Sequence, residues 1–213
     1  MKLLTFDTTT YPFREITESY LEHNNLSKVH INHKFSETLV HGTDQAQPLH
    51  RKFYDSMDND VKQAFIILYT NFIKQIIKPR YNETILFQKF PTFRVHQPGN
   101  IAVFGWHRDR DYNHNPLEVN YYLPVTDAYA TNTFYYESEP DKKDFRPMEL
   151  KYGQCAEWDG ANCRHGNKSN ETEDTRISFD FRILTLKDYE SLPPKKSITK
   201  GKSFEIGDYY ELM

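Results

Sequence analysis

Three side chains of the 213-residue chain are of types and at a spacing that could hold a metal ion. His107-Arg108-Asp109 sets an imidazole and a carboxylate two residues apart, and residues i and i+2 of an extended chain point the same way. His165 offers a second imidazole downstream. Two imidazoles and one carboxylate on one face of an ion leave three positions open, the donor set of a non-haem ferrous centre. Eleven residues after His165 stands Arg176-x-Ser178, a guanidinium fork beside a hydroxyl. That pair matches one planar end of a dicarboxylate, which arginine binds bidentately. A His-x-Asp triplet alone means little, because a chain with 9 His is expected to hold one about 0.6 times by chance. An Arg-x-Ser nine to twelve residues beyond a histidine is rarer, on the order of 0.08, so the two together carry the signal.

The elements that must position these groups follow from periodicity. From Arg176 the chain alternates strictly, with Arg176, Ser178, Asp180 and Arg182 on one side and Ile177, Phe179, Phe181 and Ile183 on the other. A period of two with aromatic and β-branched residues on the apolar side is a strand with one buried face. Seven further runs read as strands: 84–90, 92–97, 101–106, 118–125, 131–138, 148–151 and 154–158, with Pro98-Gly99 and Asp159-Gly160 as turns. On the strand around Asn120, the pattern puts Glu118, Asn120 and Tyr122 on one face and Val119, Tyr121 and Leu123 on the other. Upstream, a short strand over 2–7 precedes a helix from Pro12 to about His23. A second helix, capped by Asp58 or Asn59, carries Val61, Ala64, Phe65, Leu68, Tyr69, Phe72, Ile73, Ile76 and Ile77 as one apolar stripe until Pro79. That stripe is expected to cover the apolar side of the strand from Ile177 to Ile183. His30, His33, His41 and His50 lie in polar sequence without convergent spacing and read as surface or loop residues.

With the motifs in view, the chain resembles the Fe(II)/2-oxoglutarate-dependent oxygenases. Within them it resembles the bacterial branch that includes the StrG-like proteins of streptomycin biosynthesis. The surrounding phrases carry that likeness: Trp106-His107-Arg108-Asp109 with Tyr112 and His114, Glu118-x-Asn120, Leu123-Pro124, Thr131-Asn132-Thr133, and Asp159-Gly160 before His165-Gly166. The resemblance implies a mainly β (α+β) fold, a double-stranded β-helix of jelly-roll or cupin type with supporting helices. It implies one oxygenase domain over 1–213, with a largely helical support over 1–83, the β-helix core over 84–186 and a tail over 187–213. His107, Asp109 and His165 become the expected catalytic iron ligands, and Arg176 and Ser178 the expected 2-oxoglutarate site, with Asn120 and Tyr122 beside it. Arg94, Tyr112, His114, Thr133 and Arg164 are the expected substrate contacts, with Gln88 and His96 as further candidates. The implied cofactors are Fe(II), 2-oxoglutarate and O2, with ascorbate as a candidate addition. The implied reaction is hydroxylation of a small polar molecule, and a peptide side chain is the second substrate class. An aspartate at position 109 weakens the likeness to iron halogenases, which lack that carboxylate.

Two readings of another class compete: a cupin-like metal- or sugar-binding module without turnover, and a metal-independent isomerase using His107 and Asp109 as an acid–base pair. Neither needs a dicarboxylate pocket at Arg176. Asp180 or Asp174 is an alternative partner for that guanidinium.

Composition sets outer bounds. Hydrophobic content of 38%, with 15 Tyr and 15 Phe, suits a folded, strand-rich chain. A net charge of −3 makes no electrostatic case for duplex nucleic acid or an anionic membrane. No apolar run approaches the ~20 residues of a membrane span. Cys155 and Cys163, without a leader-like N-terminus, read as reduced thiols of a cytoplasmic protein. Arg94, Arg108, Arg110 and Arg164 around the motifs point to an anionic or zwitterionic substrate. Phe204 and Tyr209-Tyr210 suggest that the terminus folds back toward the pocket. Oligomeric state is not legible from these residues.

Overall fold

The computed structural model describes residues 1–32, 48–55, 60–103, 105–196 and 203–213. Its strands are β1 (Lys2–Thr5), β2 (Ile85–Gln88), β3 (Thr92–His96), β4 (Val119–Pro124), β5 (Phe134–Tyr136), β6 (Arg146–Pro147), β7 (Gln154–Trp158), β8 (His165–Asn167), β9 (Arg176–Thr185) and β10 (Tyr210–Leu212). The helices are α1 (Phe13–Leu21), α2 (Pro48–Asp55), α3 (Asp60–Phe72) and α4 (Leu186–Ser191). The larger sheet runs β1-β7-β4-β9-β2-β10, with β3 also paired to β9, and the smaller runs β6-β5-β8. Every pairing between these strands is antiparallel.

The alternating run becomes β9, the spine of the larger sheet. One of its edges is taken by β4 and the other by β3 and β2 in succession. Its apolar side, Ile177, Phe179, Phe181 and Ile183, is buried in the main core with Phe65, Tyr69, Phe72, Ile73 and Ile77 of the helical layer. The Phe65 ring lies 4.9 Å from Phe179, and Tyr69 meets Phe181 edge-on at 5.5 Å. From Phe65 onward the helical stripe therefore covers the face that the sequence pattern assigns to it, while Ala64, expected in the stripe, is exposed. Removing several such rings from water at ~25 cal/mol per Å2 is the main attraction between the layers. After Phe72 the helix widens into a π-type turn over Ile73–Ile77 and tightens into a 3-10 turn over Lys78–Arg80, where Pro79 has no N–H to continue it. The expected cap at Asp58 or Asn59 lies outside the described residues.

The second face of the larger sheet meets the smaller sheet. Tyr122, Ala156 and Trp158 pack there with Phe134, Tyr136, Met148, Leu150 and Ala128 in a separate apolar cluster. Polar residues of β9 and β4 continue this gap, so the molecule has an oily layer outside and a mixed layer between its sheets.

Several expected strands differ in length. The run over 101–106 forms no strand among its described residues, because Gly99 at φ +74° and Gly105 at φ +92° turn the backbone there. The runs over 131–138 and 148–151 shrink, since Ala130–Asn132 forms a 3-10 turn and Leu150 keeps only an isolated bridge to Ala128. The short strands β6, β8 and β10 are absent from the sequence reading. His50 is buried against Tyr54, with ring centroids 4.6 Å apart, not on the surface. His30 Nδ1 meets the Thr175 hydroxyl at 2.8 Å, while His33 and His41 lie outside the described residues. Cys155 and Cys163 are buried and unpaired, and burial pushes the Cys163 thiol up to about 11. Among the described residues no helix is long and apolar enough to cross a membrane.

Candidate metal centre

His107 and His165 are joined by an isolated antiparallel bridge, each donating its N–H to the other's carbonyl at 2.9 Å. Residues directly opposite on antiparallel chains present their side chains to the same face. The two imidazoles accordingly lie with centroids 4.5 Å apart. Asp109 follows at the start of a 3-10 turn, Asp109–Tyr112, and the turn is clamped by Asp109 N–H on the Gly160 carbonyl at 3.1 Å. Asp109 Oδ1 then lies 3.8 Å from His107 Nε2 and 3.6 Å from His165 Nε2. One ligand atom from each of the three lies within 4.8 Å of the others, a site able to hold a metal ion.

The surroundings decide which atoms are available. Asp109 Oδ2 accepts from Asn120 Nδ2 at 2.7 Å and from Arg182 Nε and Nη2 at 3.0 and 2.7 Å. Oδ1 is thereby left facing the imidazoles. Burial would raise the Asp109 pKa, but Arg182 and then the neighbouring histidines hold it well below the usual carboxylate range. His107 Nδ1 meets the Gly105 carbonyl at 3.1 Å, and His165 Nδ1 meets that of Cys163 at 3.0 Å. Such contacts fix the tautomer and turn each Nε2 toward the metal position. Burial and then His165 depress His107 to about 4, so its ring is neutral and ligand-ready at neutral pH. Trp158 stands edge-on to His165 at 4.9 Å, and Tyr112 edge-on to His107 at 5.1 Å. Two glycines permit this closeness. A Cβ on Gly160 would fall 2.6 Å from the Asn120 amide, and one on Gly166 2.8 Å from the Trp106 ring.

The three residues open on a cleft of about 540 Å3, measured out to its mouth, between the two sheets. Arg94, Asn120, Tyr122, Asp180, Arg182 and Arg176 line it from the larger sheet, and Phe134, Gly166 and Asn167 from the smaller. Arg182 is matched by Asp109, and Arg94 by Asp180 at 3.0 Å. Asp174 is taken by Lys28 and the Tyr129 hydroxyl. Arg176 is only 2% exposed, yet among the described residues it has no carboxylate partner. Its Nε donates to the Asn132 carbonyl at 3.1 Å and its Nη1 to the Ser178 hydroxyl at 2.9 Å. Beside it the Tyr122 hydroxyl is buried near Thr133 and Ser178 without meeting either in hydrogen-bond geometry. Arg176, Ser178 and Tyr122 thus form one buried donor group. Asn120 turns its amide N–H to Asp109 instead and keeps an unpartnered buried Oδ1.

The expected substrate residues divide. Arg94 lines the cleft and Tyr112 packs on a metal-site imidazole. His114 lies elsewhere, 2.9 Å from Glu118 Oε2 and with its ring tilted against Phe204, centroids 4.3 Å apart. The Thr133 hydroxyl donates to the Met148 carbonyl, tying the smaller sheet's cluster together. Arg164 is exposed and reaches the Trp106 carbonyl. Arg108 pairs with Asp141 and Arg110 with Asn162, so of the four basic residues noted around the motifs only Arg94 lines the cleft. Gln88 and His96 face internal groups: the two His96 ring nitrogens each lie 2.8 Å from a carbonyl, of Asn132 and of Asn100, and the neutral ring donates to one of them. Trp158 and Asn167 line the cleft although the sequence reading assigned them no such place; Asn167 sits two residues beyond His165, a spacing that shares its face.

Two antiparallel sheets with two imidazoles and a carboxylate converging on the cleft between them define a β-sheet protein with a site able to hold a metal ion. No protein-family model matches the sequence. The streptomycin biosynthesis protein StrG of Streptomyces griseus is 35% identical over 208 residues, spanning 98% of this chain and 96% of StrG. The chain belongs to the StrG family. Among solved structures, the non-heme alpha ketoglutarate dependent carbocyclase SnoK from nogalamycin biosynthesis is 13% identical, with a TM-score of 0.49 over 97% of this chain and 88% of its own. The apo form of the non-heme monooxygenase ThoJ is 13% identical, with a TM-score of 0.48 over 86% and 74%. Family membership rests on the sequence relative alone.

Proposed function

We propose that this protein is an Fe(II)- and 2-oxoglutarate-dependent dioxygenase that hydroxylates a small polar molecule, built as one oxygenase domain on a double-stranded β-helix. The observation that carries the reading is Arg176, a buried guanidinium without a carboxylate partner among the described residues, in the same cleft as two imidazoles and a carboxylate. An unpaired buried guanidinium costs several kcal/mol, on the order of the cost of breaking a buried ion pair. An anionic ligand offsets that cost, and a binding module without a diacid has no use for it.

His107, Asp109 and His165 hold the metal through Nε2, Oδ1 and Nε2. A ferrous ion bound there supplies dioxygen activation coupled to decarboxylation of 2-oxoglutarate. The balance is R–H, O2 and 2-oxoglutarate to R–OH, succinate and CO2. Arg176 takes the distal carboxylate of the cosubstrate, with the Ser178 and Tyr122 hydroxyls beside it. Phe134 and Trp158 line the wall next to His165 and exclude water there. Arg94 and Asp180 present a paired charge to the rest of the cleft, where the substrate lies.

The test is direct. Fe(II) and 2-oxoglutarate added without oxygen should give a weak visible charge-transfer band, and a succinate-release screen over amino acids, aminocyclitols, nucleotides and peptides should then find the substrate class. Absence of both the band and any succinate would replace this reading with the metal-binding module.

A further inference from the structure

Asp109 is one end of a buried polar chain that reaches the C-terminal strand. Arg182 holds Asp109 Oδ2 with two N–H groups, and its Nη1 donates to Gln88 Oε1 at 3.2 Å and to the Tyr209 hydroxyl at 3.4 Å. Its Nε also lies 3.6 Å from Glu118 Oε2. Glu118 is buried, meets His114 through Oε2, and accepts through Oε1 from Asn115 N–H and from the Tyr210 hydroxyl. Tyr210 opens β10, whose register sets it opposite Gln88 of β2. Its ring is packed with Leu86, Leu184 and Phe204 in a cluster of its own. The terminus does fold back, and it reaches the residues that hold Asp109, through Tyr209 on Arg182 and Tyr210 on Glu118.

We propose that Arg182 is a positioning residue of the metal centre and that the C-terminal strand, through Tyr210 and Glu118, holds it in place. This rests on the metal-site reading above and extends it to residues 203–213. The physical ground is that a guanidinium shared between two buried carboxylates has two competing destinations. Tyr210 and the Asn115 N–H hold Glu118 Oε1, and His114 meets Oε2, the oxygen nearest Arg182, so Glu118 is already bonded and the fork closes on Asp109. With Oδ2 thus occupied, Oδ1 is the oxygen presented to the ion. Groups of this kind, one shell out from the ligands, commonly change metal affinity ~10–100-fold when removed.

The test is Co(II) binding to the full-length apo protein, followed by its visible spectrum and by competition. Arg182→Gln should weaken Co(II) about 10–100-fold, with Arg182→Lys between it and wild type. Tyr210→Phe, which removes one hydroxyl and no ring, should weaken it about 3–10-fold, while Tyr189→Phe, in the same apolar cluster but outside the chain, should not. Because Tyr210 acts through Arg182, the double variant should be no weaker than Arg182→Gln alone, a non-additivity that general loosening of the fold would not produce. If both single variants bind Co(II) as wild type does while His165→Ala loses it, the positioning role is overturned and the metal site stands. If His165→Ala also binds normally, both are overturned. A fall in apo melting temperature for Tyr210→Phe with an unchanged Co(II) affinity would make the strand structural only and overturn the proposal.

Discussion

Arg176→Gln separates a cosubstrate arginine from a structural one, because the two roles predict opposite effects in the ligand-free protein. In the structure the guanidinium is 2% exposed, donates to the Asn132 carbonyl and the Ser178 hydroxyl, and has no carboxylate partner among the described residues. The Asn132 carbonyl also lies 2.8 Å from His96 Nδ1, which donates to it in one neutral tautomer, so losing Arg176 does not orphan it. A buried charge held by neutral groups alone is a net cost, and removing it should leave the apo melting temperature unchanged or higher. With cosubstrate the sign reverses. Truncating one partner of a buried charge pair costs ~2–5 kcal/mol, a loss of roughly 30- to 4,000-fold in 2-oxoglutarate affinity.

Differential scanning calorimetry with a redox-inert metal reads both effects. At a ligand concentration of 100 times Kd, wild type gains ~2.7 kcal/mol. At ~2–4 °C per kcal/mol for a chain of this size, that is a shift of roughly 5–10 °C. At the same concentration the variant retains less than about 1 kcal/mol, a shift under about 4 °C. Arg176→Lys keeps the charge but not the fork and should fall between. An apo protein destabilised by several kcal/mol, with its ligand-induced shift intact, would refute the reasoning and place the diacid elsewhere.

Asp109→Ala and His165→Ala should each lose iron on anaerobic desalting, read by elemental analysis, with far-ultraviolet circular dichroism unchanged. His96 gives a pH prediction. Burial and then Arg176 depress it to about 4 from an ordinary 6.5. Below pH 6.5 the unfolded chain takes up a proton that the folded one refuses, so apo stability should fall as pH drops from about 6.5 to about 4. The loss is on the order of 3 kcal/mol, and His96→Gln should flatten that part of the urea-midpoint curve. Gly166→Ala should cost roughly 1–3 kcal/mol by chemical denaturation, because its Cβ would fall 2.8 Å from the Trp106 ring beside the His107–His165 bridge.

Faces were legible in the sequence where neighbours were not. The alternation over 176–183 correctly put four apolar residues in the helical core and Arg176, Ser178, Asp180 and Arg182 toward the other sheet, because a period of two is a property of one strand. The His-x-Asp spacing likewise told that His107 and Asp109 share a side, and the helical stripe told where α3 packs. What pairs with each polar group depends on register between strands far apart in the chain. Arg182 meets Asp109 across 73 residues, and Tyr210 meets Glu118 across 92. No local pattern encodes either contact. The strand β8 escaped notice for a related reason. His165-Gly166-Asn167 has no strand propensity of its own, and it is extended because β5 and the His107 bridge pair with it on its two edges.

That difference explains why His114, Thr133 and Arg164 fell away from the cleft while Asn167 and Trp158 entered it. Proximity in sequence to a ligand is a weak guide when the chain turns between them. Asn113, at φ 72°, ends the 3-10 turn that carries Asp109 and sends His114 away toward Phe204. By contrast Asn167 follows His165 within one strand, where direction persists for two residues at a time. Along an uninterrupted strand, residues two apart inherit a known ligand's orientation, and beyond a left-handed residue they do not. Trp158 joins the cleft by the other route, register, since β7 sets it opposite Asn120, the residue that holds Asp109.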